Sequence, residues 1–239
     1  MSKLPILMYH SVSTQSTESK GLTIDVKILE EQLLYLKSEG YTTLHFKDLQ
    51  GFKSTKDFPK KAVIITFDDV YVNQLNLAYP LFVKHNLKAC FYIPFKYVNG
   101  VNTWDAGVTP IMSVPQLQSL DDAVIELGLH SFAHQRYDQL SIEAIQKDFD
   151  LCKDFIVENK LNVNNTLAYP YGKYPKTGVE QHAFFKCLKE NQIAYGLRIG
   201  NRVNTFPFKN HYEIQRLDIK GDDSMKVFQR KLKKGKSWF

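Results

Sequence analysis

Two aspartates, Asp68-Asp69, close the run Ala62-Val63-Ile64-Ile65-Thr66-Phe67, which has no polar alternation. Carboxylates this close repel, and one stays protonated unless a cation lies beside them. Two further pairs, Asp121-Asp122 and Asp222-Asp223, follow no such run and read as solvated turn or cap residues. Further on, His130-Ser131-Phe132-Ala133-His134 sets two imidazoles four residues apart. If the chain turns helical there, both rings face one way and can bind one ion. The bland alternatives are a helix N-cap with a solvated neighbour for the aspartates, and a capping and an exposed ring for the histidines. A third candidate is Ala168-Tyr169-Pro170-Tyr171-Gly172, where Pro and Gly fix a turn whose backbone N–H groups can point into a cleft. Together, one carboxylate and two imidazoles form a metal set with open positions, with a second carboxylate beside it. That composition suits Zn²⁺ or a similar divalent ion holding a water, and the ion relieves the Asp–Asp conflict.

These residues need elements to hold them. Strand patterns fall at 4–9, 42–46, 62–67, 89–94, 124–129, 166–170, 194–199 and 213–219. Helical patterns lie between them. Asp25 caps a helix with Ile28, Leu29, Leu33 and Leu36 at 3-and-4 spacing, and Gly40 ends it. Others are predicted at 73–86, 142–159 (Ser141 as N-cap), 177–191 and 224–234. Strand and helix alternate without a composition break, which predicts parallel βα units in one α/β domain. Such folds carry their chemistry at the C-terminal ends of strands, where all three candidates sit.

The chain has 239 residues and a formal charge of +6, a value that alone would suggest nucleic acid or membrane as partner. Position weakens that reading. All 25 acidic residues lie at or before Asp223, and the surplus is Lys226, Arg230, Lys231, Lys233, Lys234 and Lys236. We therefore divide the chain into 1–225, a neutral body, and 226–239, a basic C-terminal tail. The tail could touch anionic headgroups, or simply be a solvated last helix turn whose cations suit the helix dipole. No run is long enough to span a membrane, and Leu4–Tyr9 is too short for a signal-peptide core. Cys90, Cys152 and Cys187 are odd in number and dispersed, and read as reduced, buried residues. A cytoplasmic protein is expected, membrane-peripheral at most.

With these motifs in order, the chain resembles the polysaccharide deacetylases with a NodB-homology domain, carbohydrate esterase family 4. The likeness runs from Leu7-Met8-Tyr9-His10-Ser11-Val12 through Thr66-Phe67-Asp68-Asp69 and Gly128-Leu129-His130-Ser131-Phe132-Ala133-His134. It continues through Tyr169-Pro170-Tyr171-Gly172 and Tyr195-Gly196-Leu197 to Arg216-Leu217-Asp218-Ile219. The resemblance implies a distorted (β/α)7 barrel and metal-dependent removal of acetyl from an N-acetylated sugar, with no nucleic-acid partner. It implies Asp69, His130 and His134 as metal ligands, Asp68 as general base, and the Tyr171 backbone N–H as an oxyanion donor.

The sequence departs from the family pattern at four points. Val70 follows the Asp pair where Gly is usual, and Leu129 precedes the first His where Ser is common. Ala168 stands where an Arg usually orients the base, and Arg216 is the substitute by charge and strand-end position. The late Leu-x-His that would supply the general acid is missing, leaving His10 and His211 as candidates. Trp104-Asp105 could stack a sugar face or anchor its own loop. Two other readings stay open: a glycan-binding relative without turnover, and a metal hydrolase of another small amide.

Overall fold

The apolar run at 62–67 organises the molecule. The computed structural model describes residues 2–52 and 56–235, and in it Ala62–Asp68 is a strand with every residue buried. Seven parallel strands close around it: β1 (Ile6–Tyr9), β2 (Ala62–Asp68), β3 (Ala89–Ile93), β4 (Ile125–Leu129), β5 (Val163–Ala168), β6 (Tyr195–Ile199) and β7 (Ile214–Asp218). The order is β1-β7-β6-β5-β4-β3-β2, and β2 pairs back onto β1 through Ile6↔Ile64 to Tyr9↔Phe67. A register shift between Leu127 and Leu129 distorts the β4/β5 ladder. The distorted (β/α)7 barrel is thus observed.

Strand periodicity sorts the core into two layers. Val63, Ile65 and Phe67 of β2 point out under the helices. Ala62 and Ile64 point into the barrel beside Cys90, Tyr92, Leu197 and Ile214. Gly128 of β4 is needed inside, because a Cβ there would lie 2.5 Å from the Tyr92 ring and 2.7 Å from Thr166 Oγ1. Helices α1 (Val26–Ser38), α2 (Tyr79–His85), α3 (Val114–Gln118), α4 (Ile142–Glu158), α5 (Gly178–Glu190) and α6 (Met225–Lys234) surround the strands. Asp25 caps α1 by accepting from Lys27 N, and Gly40, at φ 74, follows its end. Ser141 caps α4.

Several boundaries differ from expectation. Only Thr42–Thr43 of 42–46 is strand; the chain then crosses the N-terminal end of the barrel, where the Phe46 and Lys47 N–H groups reach Glu126. Residues 166–170 end as strand at Ala168, because Pro170 begins a turn. The helix expected over 73–86 opens with a wide π turn at Gln74–Ala78. Gln74 uses that turn to donate to the carbonyls of His10 (2.9 Å) and Asp68 (2.6 Å), tying two site-bearing strand ends together. The division at 225 falls inside α6, whose Phe228 and Leu232 are buried in the main core. Charge composition marked a boundary there, but packing runs through it. Residues 236–239 lie outside the described residues. All three cysteines are free and buried. Among the described residues no helix is long and apolar enough to cross a membrane.

Candidate active site

The C-terminal ends of β1, β2, β4, β5 and β7 open on one cavity of about 400 Å³, lined among others by His10, Asp68, Asp69, His130, His134 and Arg216. The ends of β2 and β4 supply the central groups. His130 and His134 place Nε2 3.5 and 3.4 Å from Asp69 Oδ1. One donor atom from each of the three residues fits within 4.8 Å of the others.

The histidines meet by a different route from the one expected. Residues 130–134 are not helical. Ser131 (φ 64) and His134 (φ 53) take the left-handed conformation, folding the loop so that the two rings sit 4.8 Å apart, edge to face. Each such residue costs on the order of 1 kcal/mol, so surrounding contacts must impose the shape. The same holds for Asp69 (φ 76) and for Val70 (φ 43), a β-branched residue where glycine would be relaxed. Sequence alone flagged Val70 as a departure, and the backbone shows the strain it accepts.

The charge state suits cation binding. His130 Nδ1–H donates to the Ala168 carbonyl at 2.7 Å, which leaves the Nε2 lone pair facing the cavity. Burial lowers His130 to about 4, so the ring is neutral near pH 7. Burial alone would raise Asp69, but the imidazoles of His134, His130 and His10 outweigh it and hold it ionised. Asp69 Oδ1 is buried and has no hydrogen-bond partner. A buried, ionised oxygen with no hydrogen-bond partner, beside the Nε2 atoms of two imidazoles, is a donor set that fits a divalent cation.

Asp68 is held differently. Arg216, fully buried on β7, grips it with both ends of its guanidinium: Nη1 to Oδ1 at 2.5 Å and Nη2 to Oδ2 at 2.7 Å. Burial pushes the Asp68 carboxyl up, but the Arg216 charge, His130 and the two hydrogen bonds win and keep it well below the usual range. Ala168 leaves the end of β5 without a cation, and Arg216, two strands along, supplies one.

The remaining candidates separate cleanly. His10 lies in the cavity with Nε2 3.7 Å from Asp68 Oδ2. His211 is exposed and packs against Tyr195 at 5.3 Å, away from the cavity lining. Tyr171 (φ 57) stands on the turn after β5, 48% exposed, with its ring edge-on to His134 at 4.9 Å. Gly172 is required beside it: φ is 64, and a Cβ would meet Ile199 N at 2.8 Å. Trp104 stacks one face on His134 at 4.2 Å, meets Tyr97 edge-on at 4.6 Å and, with Asp105, lines the cavity. Asp121 caps its own turn through Ala123 N, Asp222 accepts from Gly21 N, and Asp223 pairs with Lys231, all away from the cavity lining.

Sequence reasoning missed three residues at this site. Tyr71 is buried and lines the cavity beside Asp69; burial first and the Asp69 charge second push its phenol far up. Asp218, at the end of β7, lines the cavity with Oδ1 buried and unpartnered. Asp148 of α4 accepts the N–H groups of Phe132 and Ala133 inside the histidine loop. Asp148 falls on the apolar stripe formed by Ile145, Phe149 and Cys152, and Asp218 lies in the strand-end stretch Arg216-Leu217-Asp218-Ile219, so both carried a readable signal.

Comparison with known proteins gives the family and the fold. The family pattern described as polysaccharide deacetylase matches residues 55–186, more than half of the chain. The chain belongs to the polysaccharide deacetylase family. Its members are hydrolases. Among relatives, the poly-β-1,6-N-acetyl-D-glucosamine N-deacetylase of Staphylococcus epidermidis is 24% identical over 233 residues, covering 92% of this chain and 76% of that protein. Among solved structures, the Streptococcus pyogenes deacetylase PplD in complex with acetate superposes with a TM-score of 0.80 at 21% identity, covering 97% of this chain and 98% of that one. IcaB from Ammonifex degensii gives 0.77 at 18% identity, covering 97% and 96%. At these identities the superpositions establish the barrel.

Proposed function

We propose that this member of the family is a metal-dependent N-deacetylase that removes acetyl groups from an N-acetylated sugar, polysaccharide or glycan precursor. The observation that carries the reading is the Asp69/His130/His134 donor set with the Arg216-clamped Asp68 beside it. The relatives named for poly-β-1,6-N-acetylglucosamine make a β-linked N-acetylglucosamine polymer the first substrate to try. A cavity of about 400 Å³ lies within the roughly 300–1,000 Å³ of small-molecule sites and leaves room for a sugar ring.

Asp69, His130 and His134 would hold the ion, with Zn²⁺ the best match to one carboxylate and two imidazoles. When bound, such an ion acidifies water toward neutrality and polarises the acetamide carbonyl. Asp68 is ionised at every working pH but is a weak base, so it is matched to a water acidified in that way. In this reading Asp68 takes the proton of the attacking water as the new C–O bond forms. Arg216 is a positioning residue that orients that carboxylate. The Tyr171 N–H donates to the carbonyl oxygen as it gains charge. His10 gives a proton to the sugar nitrogen as the C–N bond breaks, leaving acetate and a free amine. Its place in the cavity supports this role over His211.

The test is acetate release from N-acetylglucosamine oligomers by metal-loaded protein, by protein stripped with a chelator, and by protein reloaded with Zn²⁺. Release that is lost on stripping and returns on reloading is expected. No release from any N-acetylated glycan, with Zn²⁺ shown to be bound, would sink the reading. Sugar binding without turnover in both wild type and Asp68→Asn would instead favour the non-catalytic relative.

The basic end adds a location to this reading. Exposed Arg230, Lys233 and Lys234 of α6 adjoin exposed Lys3, Lys60 and Lys61. Lys60 and Lys61 precede β2, whose far end bears Asp68, so this patch faces away from the cavity. It would hold an anionic bilayer while the cavity opens outward. Sedimentation with phosphatidylglycerol vesicles tests this: Lys233→Glu with Lys234→Glu should abolish salt-reversible binding, and undiminished binding removes the idea. Charge reversal is preferred to truncation, because α6 carries buried Phe228 and Leu232.

A further inference from the structure

The histidine loop is held on both sides of its backbone. Its carbonyls are claimed by one segment: Ser131 O accepts from Phe95 N (3.4 Å), Phe132 O from Lys96 N (2.9 Å) and Ala133 O from Tyr97 Oη (3.2 Å). Its inward N–H groups go to one side chain. Asp148 accepts Phe132 N on both carboxylate oxygens at 3.0 Å, Ala133 N at 3.3 Å, and the Tyr137 hydroxyl at 3.1 Å. Asp148 is only 6% exposed, and among the described residues no Lys, Arg or His pairs with it. A carboxylate this deep without a cation is costly, and its partners are almost wholly the loop's own N–H groups. Those N–H groups lie between two left-handed residues, Ser131 and His134, in the segment whose shape decides where both imidazoles point.

We propose that Asp148 is a positioning residue for the ion site: from α4 it fixes the loop that aims His130 and His134 at Asp69. This rests on the reading that those three residues hold a divalent ion. Asp148 touches neither the ion site nor the substrate cavity, and acts only through the loop backbone. Its carboxylate is the part that matters. An amide of the same shape keeps one acceptor and turns an N–H₂ group toward donors that need an oxygen.

The experiment titrates metal-free protein with Co²⁺, reading its visible absorption, and measures Zn²⁺ affinity by competition with a chelator. Wild type, Asp148→Asn and Asp150→Asn are compared; Asp150 is on the same helix but hydrogen-bonds Gln146 at the surface. Asp148→Asn is expected to weaken the affinity about tenfold or more and change the Co²⁺ spectrum, with Asp150→Asn unchanged. A folded Asp148→Asn with wild-type affinity and spectrum, whatever its melting temperature, would overturn the proposal, because that is the behaviour of a purely structural residue. If Asp148→Asn does not fold, Tyr137→Phe serves: it strips one donor from the carboxylate and should weaken the affinity about two- to fivefold. Unchanged affinity there would equally overturn it. Failure of wild type to bind Co²⁺ would remove the ion site and this proposal together. Binding that depends on Asp148 without acetate release would leave the proposal standing and count only against the substrate.

Discussion

The two ends of the barrel both bury carboxylates, yet treat them in opposite ways. At the N-terminal end, Glu126 accepts from Phe46 N at 3.2 Å and Lys47 N at 2.9 Å, with Cys90 Sγ at 3.6 Å. Burial raises its carboxyl, and aromatic rings close the floor, Phe58 stacking on Phe206 at 4.6 Å. At the C-terminal end, Asp68 is held low by Arg216, while Asp69 Oδ1, His10 Nδ1, His134 Nδ1 and Asp218 Oδ1 are buried without partners. Both ends use the same alternating strand positions. What differs is whether backbone N–H groups consume the lone pairs. A carboxylate saturated by backbone closes a barrel; lone pairs left open, beside a fixed cation, make a site that still needs a ligand.

The largest expected effect lies in the chemistry. Asp68→Asn should lower kcat about 10²–10⁴-fold with Zn²⁺ still bound, while Glu126→Gln should leave kcat within about twofold, both read by acetate release. Equal losses at the two ends would break the comparison.

Next comes the buried ion pair. Arg216→Met leaves Asp68 charged and unpaired, and should cost about 3–5 kcal/mol in denaturant unfolding. In the wild type, the depressed Asp68 contributes stability that is present above the unfolded value of about 3.9 and is lost as pH falls below it. Without Arg216 the carboxyl rises, so the acid limb of the activity profile should shift to higher pH. An unmoved limb would show that Arg216 does not set the state of Asp68.

A smaller effect is shared by both ends. His130 at the mouth and His45 beneath the floor are each lowered to about 4, first by burial. The unfolded chain protonates near 6.5, so metal-free protein should be fully stable above that value and lose stability as pH falls from 6.5 to 4. These two rings take up protons on unfolding across that window, and His45→Gln should reduce the measured pH slope by the share of one ring. A slope insensitive to His45 would place the whole effect at the mouth.

The smallest is local to the floor. Glu126→Gln trades an acceptor for an N–H₂ group against Phe46 N or Lys47 N, and should lower stability by about 1–2 kcal/mol. A much larger loss would mean that the floor depends on the charge as well as on its hydrogen bonds.

Much of this was legible in the sequence because it is local. The non-alternating run at 62–67 read as a strand covered on both faces, and it is one. Asp25, Ser141 and Gly40 marked helix ends correctly, because capping needs only neighbouring atoms. Motif order pointed to Asp69, His130 and His134, and the fold brings them within one ion's reach. Local rules failed where distant groups decide the backbone. Spacing four suggested a helical turn for the histidines, but Asp148 and the 95–97 segment impose a left-handed loop. Charge composition set 226–239 apart as a basic tail but said nothing of packing, and Phe228 and Leu232 within it lie in the core.

The sequence by itself therefore determined the parallel βα order, the strand ends that bear chemistry, and the residue types gathered there. These follow from periodicity, capping and turn chemistry, which act over a few residues. Tertiary structure alone decided that Arg216 clamps Asp68 across 148 residues of chain, that His10 rather than His211 reaches the cavity, and that Trp104 packs on His134. Barrel closure is the physical reason. Joining β2 to β1 brings strand ends far apart in sequence to one rim, and pairwise electrostatics there depend on distances that no local pattern encodes.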